Sequence, residues 1–285
     1  VALKSLIEAK SPNLELVGVI TKSKSNINND FVNLNKVSLE HSIPCFYQED
    51  KNANESLLFM KKLKPDVIFC IGWSHILGLD FLELPRYGVI GFHPTKLPAN
   101  RGRHPIIWSI VLGLKNTAST LFKMDKGADS GLIVSQKTLK ITEGFVARDL
   151  YNLILLALSE QVLDVANGLV SGKLRYIKQD YNKANVWRKR SSKDGIIDFR
   201  MSNIDIRNLI SALSDPYPGA TVLYNDIDYI ILECKISNKK FPNNIEPGYV
   251  LSIKDGVLLV KTAGNGSIYI NSLPLAKEIF VGAYL

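Results

Sequence analysis

A chain of 285 residues, 46% apolar and 22% charged, is long enough for one large domain or two ordinary ones with real cores and reads as a soluble globular protein. No apolar run reaches the roughly 18 to 20 residues a membrane span needs, and the opening VALKSLIEAK lacks the charged-then-apolar pattern of a secretory signal, so a cytoplasmic protein without a membrane partner is expected. Net charge is +8, distributed as +3 over residues 1–171, +7 over residues 172–193 and −2 over residues 194–285. The basic segment GKLRYIKQDYNKANVWRKRSSK reads as a solvated linker, or as a clamp on phosphates that adds Trp187 as a stacking surface for a base.

The first residues already carry a helical pattern, Leu3, Leu6 and Ile7 at i, i+3 and i+4, with no initial methionine, so a preceding N-terminal piece is expected. LELVGVI (14–20) and DVIFCIG (66–72) read as buried strands. Between them FVNLNKVSLEHSIP and NESLLFMKKLKPD read as helices, the second with Asn54 as N-cap and its end before Pro65. This βαβ rhythm, continued to about residue 170, predicts an open, mostly parallel, doubly wound α/β sheet. ARDLYNLILLALSEQVLDVANGLVSG (147–172) reads as a long apolar helix that stops at glycine.

Beyond the linker come IIDF, an amphipathic helix NIDIRNLISALS, and short strands ATVLYND, IDYIILECKI, GYVLSI, GVLLVKTA and SIYINSL. Turn signals at Asn225-Asp226, Asp255-Gly256 and Asn265-Gly266 separate several of them, which predicts a small antiparallel barrel or sandwich. The expected domains are 1–172, a linker 173–193, and a β-rich domain 194–285. Cys45, Cys70 and Cys234 have neither CxxC spacing nor a neighbouring histidine pair, so reduced, buried thiols are expected rather than a zinc site.

Chemistry concentrates in GVIGFHPTKLPANRGRHP (88–105). A short strand there delivers His93 at its carboxyl end, where open α/β sheets bind ligands, and Pro94, Pro98 and Pro105 stiffen the loop beyond. A second polar loop, FKMDKGADSG (122–131), carries Asp125, Gly127, Asp129 and Gly131. Asp129 beside His93 would orient the imidazole and hold it protonated, a pair suited to proton transfer and to oxyanion stabilisation. Residue types alone leave open a hydrogen-bonding structural histidine and turn-forming aspartates.

HPTKLPANRG, followed about 20 residues later by MDKGADSG, resembles the folate-dependent formyltransferase family. That family's pattern is Asn-x-His, Ser or Thr before Leu-Pro, an Arg-Gly pair, and a Met-Asp-x-Gly-x-Asp-Thr/Ser-Gly loop. DGIIDF and IRNLISALSDPYPGA (206–220) are similar to the second-domain opening of methionyl-tRNA and sugar formyltransferases. The resemblance implies a Rossmann-like catalytic domain, a small OB-like C-terminal domain, N10-formyltetrahydrofolate as donor, a primary amine as acceptor, and no metal. It makes His93 the catalytic histidine and Asp129 its partner. The pterin is expected against IGWSHIL (71–77), with Trp73, Ser74, Ile76 and Leu77, and against the loop with Asp125, Gly127 and Ala128. One position departs: the family's asparagine two residues before the histidine is Gly91 here. Asn100 and His104 are the nearest candidates to replace its hydrogen bond, although Asn100 also reads as a turn residue, and the glycine is expected to leave room for substrate beside His93.

The acceptor is read from charge. The acidic second domain, and a loop TKSKSNINND with two lysines and no arginine, argue against a nucleic-acid partner. NRGRHPIIW and IGWSHIL resemble bacterial sugar N-formyltransferases. Lys96, Arg101, Arg103 and His104 are candidates for the phosphates of a nucleotide sugar, with Trp73 or Trp108 as an aromatic surface, although Trp108 in PIIWSIVLGL reads as core. The expected activity is N-formylation of a dTDP- or UDP-linked 4-amino-4,6-dideoxy sugar for lipopolysaccharide of the O-antigen type, by a homodimer as in similar enzymes. The alternatives are a methionyl-tRNA formyltransferase, a catalytically silent folate or nucleotide binding protein, and a deformylating hydrolase.

Overall fold

A computed structural model describes residues 1–9, 11–24, 31–49, 53–73 and 75–285. Its first elements are helix α1 (Ala2–Glu8), strand β1 (Val19–Thr21), α2 (Asn35–Glu40), β2 (Cys45–Tyr47), α3 (Ala53–Leu63), β3 (Ile68–Cys70), α4 (Leu79–Leu82) and β4 (Val89–His93). Next come β5 (Arg101–Gly102), α5 (Pro105–Val111), β6 (Asn116–Lys123), β7 (Ile133–Lys140), α6 (Ala147–Val170) and β8 (Val186–Trp187). The remainder is α7 (Asn203–Leu213), β9 (Ala220–Tyr224), β10 (Ile227–Ile231), β11 (Cys234–Ile236), β12 (Val250–Lys254), β13 (Val257–Lys261), β14 (Ser267–Asn271) and α8 (Leu273–Glu278). Two compact units form: residues 1–102, 117–139 and 152–187 make one, and residues 103–116, 140–151 and 188–285 make the other.

The first unit is Rossmann-like α/β. Strands β1 and β2 pair in parallel, and a second sheet has the order β3-β4-β6-β7. That second sheet is mixed: β3 and β4 run parallel, whereas β6 runs antiparallel to β4. Strand β4 is covered on both faces, and Val89 and Ile90 are completely buried, as expected for a continuous apolar run. Ile90 and Leu121 pack against Leu158, Val162, Val165 and Leu169, one stripe of α6 at helical spacing. Each such fully buried side chain contributes on the order of 1.5–3 kcal/mol. At 24 residues α6 is long and apolar enough by composition to cross a membrane, contrary to the expectation that no such run exists, yet its buried stripe belongs to this core.

Helix α3 begins at Ala53, so Asn54, expected as its cap, lies inside the first turn. Lys64 then leaves the helix with φ 48°, directly before Pro65, which cannot continue it.

In the second unit the sheet β11-β14-β13-β12 is antiparallel and β9 pairs with β10 as a hairpin. Asn225 and Asp226 adopt φ 51° and 60°, the left-handed pair that a two-residue hairpin turn needs, and Asp255-Gly256 repeats it at 50° and 81°. Ser202 caps α7 by accepting the Asp205 N–H at 3.1 Å, and Ile206, Leu209 and Ile210 form its buried stripe. The fold class is the one read from the sequence, an α/β unit with a small antiparallel β unit.

The cysteines are free and half-buried rather than fully buried. Burial pushes the Cys70 thiol up to about 12 and the Cys234 thiol up to about 11, which leaves both poor nucleophiles.

Candidate active site

His93 is the last residue of β4 and is 5% exposed. The loop after it is fixed by more than its prolines. Thr95 Oγ1 donates to the Ala99 carbonyl at 3.1 Å, Thr120 Oγ1 to the Thr95 carbonyl at 2.6 Å, and Gln136 Nε2 to the Leu97 carbonyl at 3.0 Å. Asn100 adopts φ 65°, and its carbonyl lies 2.8 Å from His93 Nε2. Asp129, at φ 53°, places Oδ2 3.5 Å from His93 Nδ1, and the same oxygen accepts the Gly102 N–H at 2.9 Å. The two residues read as partners in the sequence therefore meet.

Both ring nitrogens face acceptors, a backbone carbonyl and a carboxylate. The Asn100 carbonyl takes a proton on Nε2, and a proton on Nδ1, when present, faces the carboxylate. A doubly protonated ring backed by a carboxylate can donate to a developing oxyanion and return a proton as the reaction proceeds. Asp125 has a different task. Its Oδ1 accepts the Gly127 N–H at 3.0 Å and the Ser130 hydroxyl at 2.6 Å, which folds the loop on itself, while Gly127 and Ala128 stand exposed at the tip. Gly131 passes so close to the end of β6 that a Cβ there would lie 1.8 Å from the Lys123 carbonyl oxygen.

The basic segment is not a free linker over residues 177–187. Ile177 bridges to Ile133, β8 pairs in parallel with β5, and Asn185 exchanges hydrogen bonds with Asn100 at 2.8 and 3.1 Å. Gln179, 3% exposed, takes the Arg101 Nε and Nη2 donors on its Oε1 at 3.2 and 2.7 Å and donates Nε2 to the carbonyls of Asp129 and Gly131 at 2.9 and 2.7 Å. Sequence reasoning missed Gln179 and Asn185. The faint signal available was the uncharged polar residues of QDYNKAN inside a basic run.

The other candidates are dispersed. Arg101 is 7% exposed, committed to Gln179, with its guanidinium 4.8 Å from the centre of the Tyr181 ring. Lys96 is exposed. Trp73 is half-buried, with Lys22 Nζ 5.8 Å from its ring centre; its indole Nε1 is buried without a hydrogen-bond partner among the described residues. Ile76 is exposed and Leu77 half-buried, and Ser74 lies outside the described residues, as do residues 25–30 of the asparagine-rich loop. A cavity of about 280 Å³ is lined by Met124, Asp125, Ser130, Gln179 and Tyr181 among others; His93 and Asp129 do not line it.

Arg103 and His104 belong to the second unit, where His104 occupies the N-cap position of α5 at φ 55° without a side-chain capping bond, and burial, followed by Arg103, Arg190 and Lys189, lowers its pKa. Trp108, expected in the core, is half-buried instead. Its indole N–H donates to the Arg188 carbonyl at 3.0 Å, and the Arg188 and Arg190 guanidinium groups sit 5.4 and 4.7 Å from its ring centre, a polar and cationic setting that the apolar pattern around it conceals.

Gly91 does not leave room for substrate. A Cβ built on it meets Met124 Cγ at 2.7 Å, Met124 Sδ at 3.0 Å and Phe122 Cζ at 3.0 Å, so those two side chains already fill the space. Among the described residues, no group of three His, Cys, Asp or Glu side chains gathers as a metal site would require.

Residues 3–164 match the Formyl transferase family and residues 189–283 match the Formyl transferase C-terminal domain. Over 231 residues the chain is 34% identical to the bifunctional polymyxin resistance protein ArnA of Wigglesworthia glossinidia brevipalpis, covering 81% of this chain but 35% of that protein. It is 30% identical over 253 residues to methionyl-tRNA formyltransferase of Clostridium perfringens, covering 88% of this chain and 81% of that one. Its fold is shared with the N-formyltransferase of Helicobacter canadensis, solved with folinic acid and dTDP-3-aminofucose, at a TM-score of 0.72 and 17% identity over 95% of this chain and 94% of that one. Matches of this extent, in this order along the sequence, mean that the chain belongs to the formyl transferase family, whose members transfer formyl groups.

Proposed function

We propose that the protein is an N-formyltransferase acting on the amine of a nucleotide-linked amino sugar, a dTDP- or UDP-linked 4-amino-4,6-dideoxyhexose, in the making of surface polysaccharide. The observation that carries the reading is the meeting of His93 and Asp129 at the end of β4, 3.5 Å apart, in a chain of this family. N10-formyltetrahydrofolate, when bound, supplies the formyl carbon. The residues present fit it: the buried indole N–H of Trp73 has no acceptor among the described residues, and the exposed tip at Gly127 and Ala128 offers backbone to a flat ring.

The chain's own residues then have distinct tasks. Asp129 keeps the imidazole oriented and stabilises its positive charge. His93 Nε2–H, held in this structure by the Asn100 carbonyl, would donate to the formyl oxygen while the amine forms its bond to the formyl carbon, and the proton the amine loses would reach N10 as the C–N10 bond breaks, which releases the formamide and tetrahydrofolate. Asn100 presents its backbone carbonyl to His93, while its side-chain Oδ1 accepts the Asn185 amide N–H. Residues 1–172 serve as the catalytic domain, 173–193 as the connecting segment and 194–285 as the C-terminal domain. The acidic balance of the last favours a small nucleotide substrate over tRNA. Formylation of an activated sugar before its transfer to a glycan places the enzyme in the cytoplasm, as a homodimer by analogy with similar enzymes.

The test is a panel of dTDP- and UDP-linked 3-amino and 4-amino sugars, with methionyl-tRNA, incubated with N10-formyltetrahydrofolate and read by mass for one added formyl group. His93→Ala and Asp129→Asn are each expected to lower turnover about 100-fold or more. Unchanged turnover in both variants would refute the assignment. The 30% identity to methionyl-tRNA formyltransferase favours a second reading, in which the tRNA is formylated and binds with a steep salt dependence.

A further inference from the structure

We propose that Gln179 is a positioning residue that fixes the 125–131 loop so that the Asp129 carboxylate stays on His93. This inference rests on the formyl-transfer reading of that pair. Gln179 lies 50 residues beyond Asp129 in the basic segment, outside every motif of the catalytic loops.

Each valence of its buried amide is used. Oε1 takes two donors of one guanidinium, that of Arg101, and Nε2 gives its two protons to the Asp129 and Gly131 carbonyls. Arg101 is in turn next to Gly102, whose N–H holds the Asp129 carboxylate at 2.9 Å. One side chain thereby ties the backbone of Asp129 to the residue beside the donor that holds its carboxylate.

The loop needs this tie. Asp129 is a non-glycine residue at φ 53°, in a sparsely populated region that persists only when its surroundings enforce it. Next to it, Gly131 passes close to the Lys123 carbonyl and the Ser130 carbonyl accepts the Tyr181 hydroxyl at 3.4 Å. An acceptor in place of Nε2 would face two carbonyl oxygens with no proton to give, so the amide cannot be exchanged for a carboxylate without releasing the loop.

Gln179→Glu keeps the size and the Arg101 fork but removes both donors to the loop. In the full chain it is expected to lower kcat about 10- to 100-fold, as misplacement of a reacting group by about 1 Å does, with KM changed less than about twofold. In an Asp129→Asn background the same substitution is expected to change kcat less than about twofold, since the group it acts through is already gone. Wild-type kcat in Gln179→Glu, or an equal loss in both backgrounds, overturns the proposal. Gln179→Met, which removes all four bonds at similar volume, carries the same test should the glutamate variant not fold.

If the wild-type chain formylates no amine in the panel, the formyl-transfer reading fails while the positioning claim remains open to measurement. The ring ¹H–¹⁵N signals of His93 are then expected to move in Gln179→Glu in the same direction as in Asp129→Asn. Signals at their wild-type positions in a folded Gln179 variant overturn it.

Discussion

Gly91→Ala is a direct probe of how the space beside His93 is filled. The added Cβ would lie 2.7 Å from Met124 Cγ and 3.0 Å from Phe122 Cζ, whereas carbon atoms rest about 3.5–4.0 Å apart, so about 1 Å of overlap has to be relieved. Phe122 is 2% exposed and is the direct strand partner of Gly91, which leaves it nowhere to go. Met124 is half-buried and has three rotatable bonds, so it moves. The expected cost is therefore in the lower half of the overpacking range, about 1–2 kcal/mol. Met124→Ala on its own removes packing at a partly exposed site and should cost about 1–3 kcal/mol, less than a full core truncation. In the double variant the overlap with Met124 is absent and only that with Phe122 remains, so its loss is expected to be smaller than the sum of the two singles by about 1 kcal/mol. Urea denaturation of the four proteins of this cycle measures that difference. Additivity within about 0.3 kcal/mol would show that the alanine methyl and the thioether do not compete, and the packing argument would fall.

Gly131→Ala is expected to be far more severe, roughly 3 kcal/mol or more, because the obstacle is the Lys123 carbonyl rather than a flexible side chain; a wild-type melting temperature would contradict the close approach. Asp194 gives a pH dependence. The hydrogen bonds from Arg188, then the Ser191 N–H, hold its carboxyl well below the usual carboxylate range. Between that value and the unfolded value of about 3.9 the unfolded chain binds more protons, so the stabilisation is full at neutral pH and is lost progressively as pH falls below about 4. Asp194→Asn should flatten the acid limb of a stability curve measured from about pH 6 to pH 2, and an unchanged limb would contradict the pairing.

Much of this was legible. Strand β4 announces itself as a continuous apolar run ending in a histidine, and the hairpin turns at Asn225-Asp226 and Asp255-Gly256 announce theirs through residue types that tolerate positive φ. The meeting of His93 with Asp129 is an expectation drawn from two loops, and the structure brings the ring and the carboxylate to 3.5 Å. What stayed hidden depends on partners far apart in sequence. The uncharged polar residues around Gln179 and Asn185 do not reveal that their hydrogen bonds go to residues 48 to 85 positions away. Trp108 sits in a helical apolar stripe, and periodicity cannot report that two guanidinium groups approach its ring. Gly91 was misread for a related reason. An absent side chain looks like free volume until the packing of β6 is known.

The first unit is assembled from three separate stretches of chain, the last of which ends at residue 187. During vectorial synthesis His93 and Asp129 leave the ribosome well before Gln179 and β8, so the nascent site has its reactive groups but not its fasteners. A fragment ending near residue 172 would carry the motif residues yet lack the strand that pairs with Arg101 and Gly102. A split of this enzyme at the end of α6 should accordingly leave the half that holds His93 and Asp129 without Gln179 and β8.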